Sequence, residues 1–345
     1  MARSATDLVH SCFFKQYNQV NFTSDSDYYS HNLDKGLAYG THPVMMLAAA
    51  LPWLKPIVEF VIMLCFRFIR TARKEILHSI DIMTELNLRA RREMAAAKAK
   101  AEAQNIKFDP ENFVLKDGTR FKRNMVDAFI DNYHDGKVEK MDYYGTLAFV
   151  LLAGIKASHD VSVRILYNMA SHMNIQEKLR KSIVDDGMDS EYLTWCINEA
   201  FRIDSPATVG CSRMTDRDLP VEGGGVIPAG TYVVVPAHTI HRMPEYWGED
   251  AAVFRPERWA EADKWHPMQY IPFGAGLRVC PGKEFALNSL KKMLVALLTR
   301  YKLERCAKTS DSPLFQFPFF LYSVPEVPTY IKFTRWIRDD AIQSR

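Results

Sequence analysis

The chain has 345 residues, with 44 Lys and Arg against 41 Asp and Glu and a formal charge of +3. Its 48% hydrophobic and 25% charged residues exclude a disordered, collagenous or low-complexity chain. So small a charge over this length gives no electrostatic reason to expect a nucleic-acid partner. The cysteines Cys12, Cys65, Cys196, Cys211, Cys280 and Cys306 form no CxxC pair and are too few for a disulfide-stapled domain. A reduced setting follows, with most of them expected as small buried hydrophobes.

In chain order, Met1–Val20 holds no apolar stretch, so neither a signal peptide nor an N-terminal anchor is expected in this chain. Residues 1–42 read as a short helix and a polar loop, and the sequon Asn21-Phe22-Thr23 reads as a chance match. Residues 43–69 are the most hydrophobic, but Pro52, Lys55, Pro56, Glu59 and Arg67 interrupt any run that could span a bilayer. They predict two short amphipathic helices broken at Pro52, or alternatively a peripheral surface dipping into a membrane interface.

Ile69 to about Gln104 predicts a long helix ending in the Ala/Lys/Arg stretch 95–103, whose charges read as a solvated face or a basic docking patch. Residues 105–120, with Pro110 and Asp117-Gly118, predict a loop. From Met141 to about Met173 the chain is nearly unbroken helix pattern. Apolar residues on all sides of its first half predict passage through the middle of the protein. Two further helices are expected over 176–186 and 190–202.

The texture then changes. Residues 209–236, with β-branched runs around Gly223-Gly224-Gly225 and Pro228-Ala229-Gly230, predict a small sheet with tight turns. Residues 245–272 are rich in Trp, Pro and charge, without periodicity, and predict an irregular packed segment. Residues 281–301 predict an amphipathic helix, and 314–336 a hairpin turning at Pro325 and Pro328. No internal repeat is present. The fold class expected is mainly α with a minor β-sheet.

The most informative stretch is Phe273-Gly274-Ala275-Gly276-Leu277-Arg278-Val279-Cys280-Pro281-Gly282. Two glycines let the backbone turn tightly and approach a flat ligand. Pro281 suits the first turn of a helix, which would put Cys280 at a helix N-terminus where a thiolate is stabilised. A thiolate there suits the axial position of a haem iron, and Arg278 can present a bidentate guanidinium to a propionate. The alternative is an ordinary turn with one buried cysteine.

This stretch resembles the haem signature of the cytochrome P450 superfamily, F-x-x-G-x-R-x-C-x-G, with Phe273, Gly276, Arg278, Cys280 and Gly282 at every fixed position. Glu199-Ala200-Phe201-Arg202 is similar to the family's E-x-x-R motif, and Arg258 to the arginine that completes a charged structural triad. The resemblance implies haem b, with Cys280 as axial ligand to its iron and Phe273, Gly274, Gly276, Arg278 and Gly282 around it. Arg213, eleven residues after Arg202, looks like a second propionate-binding arginine, or a surface arginine near a strand.

Finer likeness is to the family 3 and thromboxane-synthase-like group. Leu51–Glu59 resembles that group's segment between the helices roofing the active site, and Asp7–Ser11 part of the preceding helix. The likeness covers about Asp7 to Phe333, with residues 90–124 resembling an insertion. It implies one partial P450 domain over 1–345. Residues 1–140 would form roof helices and insertion, 141–202 the central helix to the E-x-x-R helix, and 203–345 the β region, haem loop, last helix and hairpin. Against the family pattern, the N-terminal anchor, first sheet and early helices are expected to be missing, as in a truncated chain.

Ala153-Gly154-Ile155-Lys156-Ala157-Ser158 aligns on the family's oxygen-activating A/G-G-x-D/E-T-T/S groove, with Lys156 at the acid position and Ala157 at the threonine position. Alanine cannot relay a proton; Ser158, or Asp160, is the remaining candidate to do so through water. The resemblance implies substrate contacts from Ala153, Gly154 and Ala157, from Ala207, Thr208 and Val209, and from Phe319 and Phe320. These apolar residues suit a lipophilic small molecule or a plain core.

Three functions are expected. The first is a monooxygenase fed electrons from NADPH by a P450 reductase at the endoplasmic reticulum membrane, impaired by truncation and the atypical groove. The second is a haem-thiolate peroxide isomerase, whose substrate brings its own O–O bond. The third is a non-catalytic remnant.

Overall fold

A computed structural model describes residues 67–110, 113–116, 118, 125–205, 213–307, 309, 315–316, 324–325 and 330–336. The expectations for 1–66, for Cys12, Cys65 and Cys211, and for Ala207, Thr208, Val209, Phe319, Phe320 and Pro328 lie outside the described residues. The chain divides into two compact units, Met1–His159 and Asp160–Arg345.

In the first unit, helix α1 runs over Arg67–Ala103, α2 over Met125–His134, and α3 begins at Lys140 and continues to Ser171. Ile80, Met83, Asn87 and Ala90 are buried at helical spacing and form one stripe of α1. The stripe is partly polar because it has polar partners. Asn87 donates to the buried Asp127 carboxylate of α2, and the Thr84 hydroxyl meets that of Tyr143. Tyr143 stacks on Tyr133 with ring centroids 4.3 Å apart.

Helix α3 departs from expectation in where it is buried. Over its first turns only Tyr143 and Leu147, four residues apart, are fully buried, while Met141 is 81% and Phe149 65% exposed. The heavily buried half is 160–171, where apolar Val161, Ile165, Leu166 and Met169 alternate with buried Asp160, Arg164 and Asn168. Those polar side chains look solvated in sequence. In the fold, Arg164 Nη1 lies 3.9 Å from an Asp204 carboxylate oxygen, and Asn168 Nδ2 donates to the Arg164 carbonyl. Burial thus follows the availability of partners, not the apolar count.

The second unit is built on the end of α3, α4 (Met173–Asp186) and α5 (Glu191–Ile203). The Ser190 hydroxyl accepts from Leu193 N–H at 3.0 Å and starts α5 as an N-cap. Short antiparallel ladders follow: β1 (Arg213–Met214) pairs with β4 (Tyr232–Val233), and β2 (Leu219–Pro220) with β3 (Val226–Ile227). Helices α6 (Ala237–Ile240) and α7 (Pro244–Trp247) and a 3-10 segment at Pro256–Lys264 make up the irregular region. It is packed, as expected, around buried Trp247, Ala251 and Trp259.

Helix α8 spans Lys283–Leu298 and ends sooner than its apolar pattern suggests, because Tyr301–Arg305 is strand β5. Buried Leu290, Leu294 and Leu298 join Leu179, Leu193, Ile197 and Leu166 in the main core. The C-terminal hairpin also differs. Phe315–Gln316 (β6) pairs with Val324–Pro325 (β7), so Pro325 is in a strand and not at the turn. Ile331–Arg335 (β8) pairs instead with β5. The Gln176 side chain fixes that ladder by donating to Leu303 O at 2.9 Å and accepting from Leu303 N at 2.8 Å. A buried amide that satisfies both backbone groups of one strand residue makes 301–305 a strand.

Candidate functional site

Helix α5 carries the anchor of the site. Glu199 and Arg202, one helical turn apart, are both fully buried. The Glu199 Oε1 atom accepts from Arg202 Nη2, Arg258 Nε and Arg255 N–H, each at 2.9 Å. Its Oε2 atom accepts from Arg202 Nε at 2.9 Å and Trp259 Nε1 at 3.0 Å. The guanidiniums spend their remaining donors on backbone. Arg202 Nη1 reaches His241 O at 2.8 Å and Ala251 O at 2.7 Å. Arg258 donates to Trp247 O, Asp250 O and Val253 O and pairs with Asp250 Oδ1 at 3.2 Å.

The buried Glu199 and the partly exposed Asp250 therefore face two buried guanidiniums, and each is multiply hydrogen-bonded, which is the condition for tolerating the buried charges. Burial pushes the Asp250 carboxyl up, but hydrogen bonds from Arg255 and Arg258 outweigh it and hold it below the usual carboxylate value. The structure thus brings Glu199, Arg202 and Arg258 into one cluster, and the cluster clamps residues 241–259.

The segment leading to the cysteine is tied to this frame at three successive residues. The Gln269 amide donates to Tyr246 O, the Tyr270 hydroxyl donates to Asn198 O at 3.2 Å, and Ile271 N–H donates to His241 Nε2 at 2.9 Å. Phe273 then packs its ring 4.8 Å from that of Phe201 on α5. Its carbonyl accepts from Cys280 N–H at 2.9 Å, closing the glycine-rich stretch into a loop. Gly274 and Gly276 have φ of 74° and 68°, conformations that a side chain rarely adopts.

Outside this closure the loop faces outward. Leu277 is fully exposed, Val279 is 44% exposed, and Arg278 and Cys280 are exposed with them. A Cβ added at Gly276 would meet nothing within 4 Å. An exposed free thiol between exposed apolar side chains, on backbone left open by glycine, fits a flat apolar group ligated through sulfur. By contrast, burial pushes the Cys196 thiol well up, and it is inert core.

One detail corrects the sequence reading. The helix after the cysteine starts at Lys283 with Gly282 as its N-cap, so Pro281 is not in its first turn. Lys283 N–H donates to Cys280 O at 3.3 Å and Ala286 N–H to Gly282 O at 2.9 Å. Cys280 therefore sits in a separate turn ahead of the first helical bond.

The remaining candidates lie elsewhere. Arg213 is exposed on β1. Ala153, Gly154 and Ala157 are half-buried and Ser158 is buried, all on α3 in the first unit, and Lys156 is on the same helix. Sequence reasoning missed His241, Asp250, Trp259, Gln269 and Tyr270. For Asp250, Trp259, Gln269 and Tyr270 the only signal was the density of Trp and Pro in 245–272, and His241 lies ahead of that segment with no signal. The backbone carbonyls that they and the arginines serve carry no sequence mark.

Comparison with known proteins bears on this arrangement directly. The family model described as cytochrome P450 matches residues 1–333. The chain belongs to the cytochrome P450 family. It is 33% identical over 201 residues to cytochrome P450 3A25 of Mus musculus, covering 53% of this chain and 38% of that protein. It is 29% identical over 240 residues to cytochrome P450 3A5 of Homo sapiens, covering 60% and 47%. To lithocholate 6-beta-hydroxylase of Mesocricetus auratus it is 34% identical over 195 residues, covering 53% and 38%. The chain thus spans less than half the length of these three P450 relatives. The P450 family implies a haem iron, which the cysteine loop fits. Among the described residues no helix is long and apolar enough to cross a membrane.

Proposed function

We propose that this P450 chain serves a haem-thiolate monooxygenase acting on lipophilic small molecules. The observation that carries the reading is the exposed Cys280 thiol on a loop pinned to the buried Glu199–Arg202–Arg258 cluster. When bound, haem would supply activation of dioxygen and transfer of one oxygen atom into a carbon–hydrogen bond. The chain's own residues do the holding. Cys280 would ligate the haem iron through its sulfur, Arg278 and Arg213 would bind the propionates, and Phe273, Gly274, Gly276 and Gly282 would shape the cradle. Residues 1–345 belong, on this reading, to one P450 domain.

The reading assigns the substrate wall to Ala153, Gly154 and Ala157, with Ala207, Thr208, Val209, Phe319 and Phe320, and leaves Ser158 as the proton relay. Electrons would come from NADPH through a P450 reductase at the endoplasmic reticulum membrane, with 43–69 as a peripheral contact. A relative named for hydroxylating lithocholate, beside relatives named as cytochromes P450 of family 3, supports the lipophilic class.

Lys156 and Ala157 favour a second reading, the peroxide isomerase of the thromboxane-synthase-like group, since neither residue reproduces the acid and hydroxyl of a dioxygen relay. The deciding experiment supplies haem to the chain and records the reduced, carbon-monoxide-bound spectrum. A thiolate-type band lost in Cys280→Ala supports the haem-thiolate assignment; its absence from the parent chain indicates a non-catalytic remnant. Turnover with NADPH and reductase, against turnover of a lipid hydroperoxide, separates monooxygenase from isomerase.

A further inference from the structure

His241 joins the buried ion cluster to the cysteine loop with two of its atoms. Its carbonyl accepts from Arg202 Nη1 at 2.8 Å, and its ring Nε2 accepts from Ile271 N–H at 2.9 Å. The Ile271 carbonyl in turn accepts from Gly274 N–H at 3.0 Å, and the Phe273 carbonyl from Cys280 N–H at 2.9 Å. A continuous path of hydrogen bonds and short backbone steps therefore runs from Glu199 through Arg202, His241, Ile271 and Phe273 to the cysteine. We propose that His241 is a positioning residue that sets the placement of Cys280 by accepting the Ile271 amide. The proposal rests on the reading of Cys280 as haem ligand.

The chemistry of the ring supports it. Only a neutral imidazole has a lone pair for the Ile271 N–H. His241 is completely buried, and burial, with His238 and Arg202 nearby, lowers its pKa to about 3. Accepting at Nε2 requires the proton on Nδ1, which finds no hydrogen-bond partner among the described residues. A phenyl ring would fill the space without burying that donor. The imidazole is therefore explained by its acceptor, and the acceptor serves the loop.

The test compares the parent chain with His241→Gln, which places an acceptor at similar reach, and with His241→Asn and His241→Phe, which do not. In the haem-free chain, hydrogen–deuterium exchange at the Ile271 and Cys280 amides is expected to rise about tenfold in the Asn and Phe variants and to return toward parent rates in Gln. In the haem-supplied chain, the thiolate-type fraction of the carbon monoxide complex should fall in Asn and Phe and recover in Gln. Parent-like exchange and spectra in all three variants would overturn the proposal. Equal loss in all three would overturn it too, since a merely structural role predicts no rescue by Gln. If the parent shows no thiolate band, or keeps it in Cys280→Ala, the ligand reading falls. The exchange pattern then still decides whether His241 holds the loop.

Discussion

The buried cluster around Glu199 and the loop around Cys280 are a few hydrogen bonds apart and obey opposite rules. In the cluster, both oxygens of one carboxylate and the donors of two guanidiniums find protein partners with almost no exposure. In the loop, Leu277, Val279 and Cys280 face outward although two of them are aliphatic. The contrast teaches a division of labour. Charge is buried where it must hold shape, and apolar surface with a thiol is displayed where, on the proposed function, haem would be received.

Glu199→Gln should do the most damage. It leaves the buried Arg202 without a counter-charge and Arg258 with only the partly exposed Asp250 carboxylate, and is expected to cost about 3–5 kcal/mol in denaturant unfolding. A loss under about 1 kcal/mol would mean that the cluster is not the anchor.

Acid comes next. Burial, then Arg242 and Arg164, lowers His238 to about 4, and His241 is lowered to about 3. Both are protonated at higher pH when unfolded, so their share of stability is complete above pH 6.5 and is lost as pH falls toward 3. His241 alone gives a slope of up to roughly 1.4 kcal/mol per pH unit across that window. Thermal unfolding of parent and His241→Gln between pH 7 and pH 4.5 checks this, with a shallower decline expected in the variant.

Smaller still is Ser190→Ala, which removes the cap of α5 at a cost of about 1 kcal/mol and should leave any thiolate-type band unchanged. Least of all, Cys280→Ala should change stability by under about 0.5 kcal/mol, since the side chain is exposed. It should nonetheless abolish the thiolate-type band. Stability lost without the band, and the band lost without stability, would together sharpen the contrast between cluster and loop.

How much of this was legible depends on how local each feature is. Phe273, Gly276, Arg278, Cys280 and Gly282 stand within ten residues, so their resemblance to the P450 signature is visible without the fold. Glu199 and Arg202 share a helical turn, whereas Ser190, expected as the first residue of that helix, proves to be its N-cap. The burial of α3 was misjudged because Asp204, which pairs with Arg164, is forty residues downstream. Strand β5 went unread beyond the helix expected over 281–301, because Gln176, which bonds Leu303, is 127 residues upstream.

The sequence by itself determined the helical frame, because periodicity records short-range geometry, and its likeness to the P450 signature marked the family and the cysteine loop. Tertiary structure alone decided which polar side chains are buried, where the last strands pair, and that His241 carries the amide of Ile271. Those outcomes depend on backbone groups and distant partners, and a backbone carbonyl has the same formula at every position in the chain.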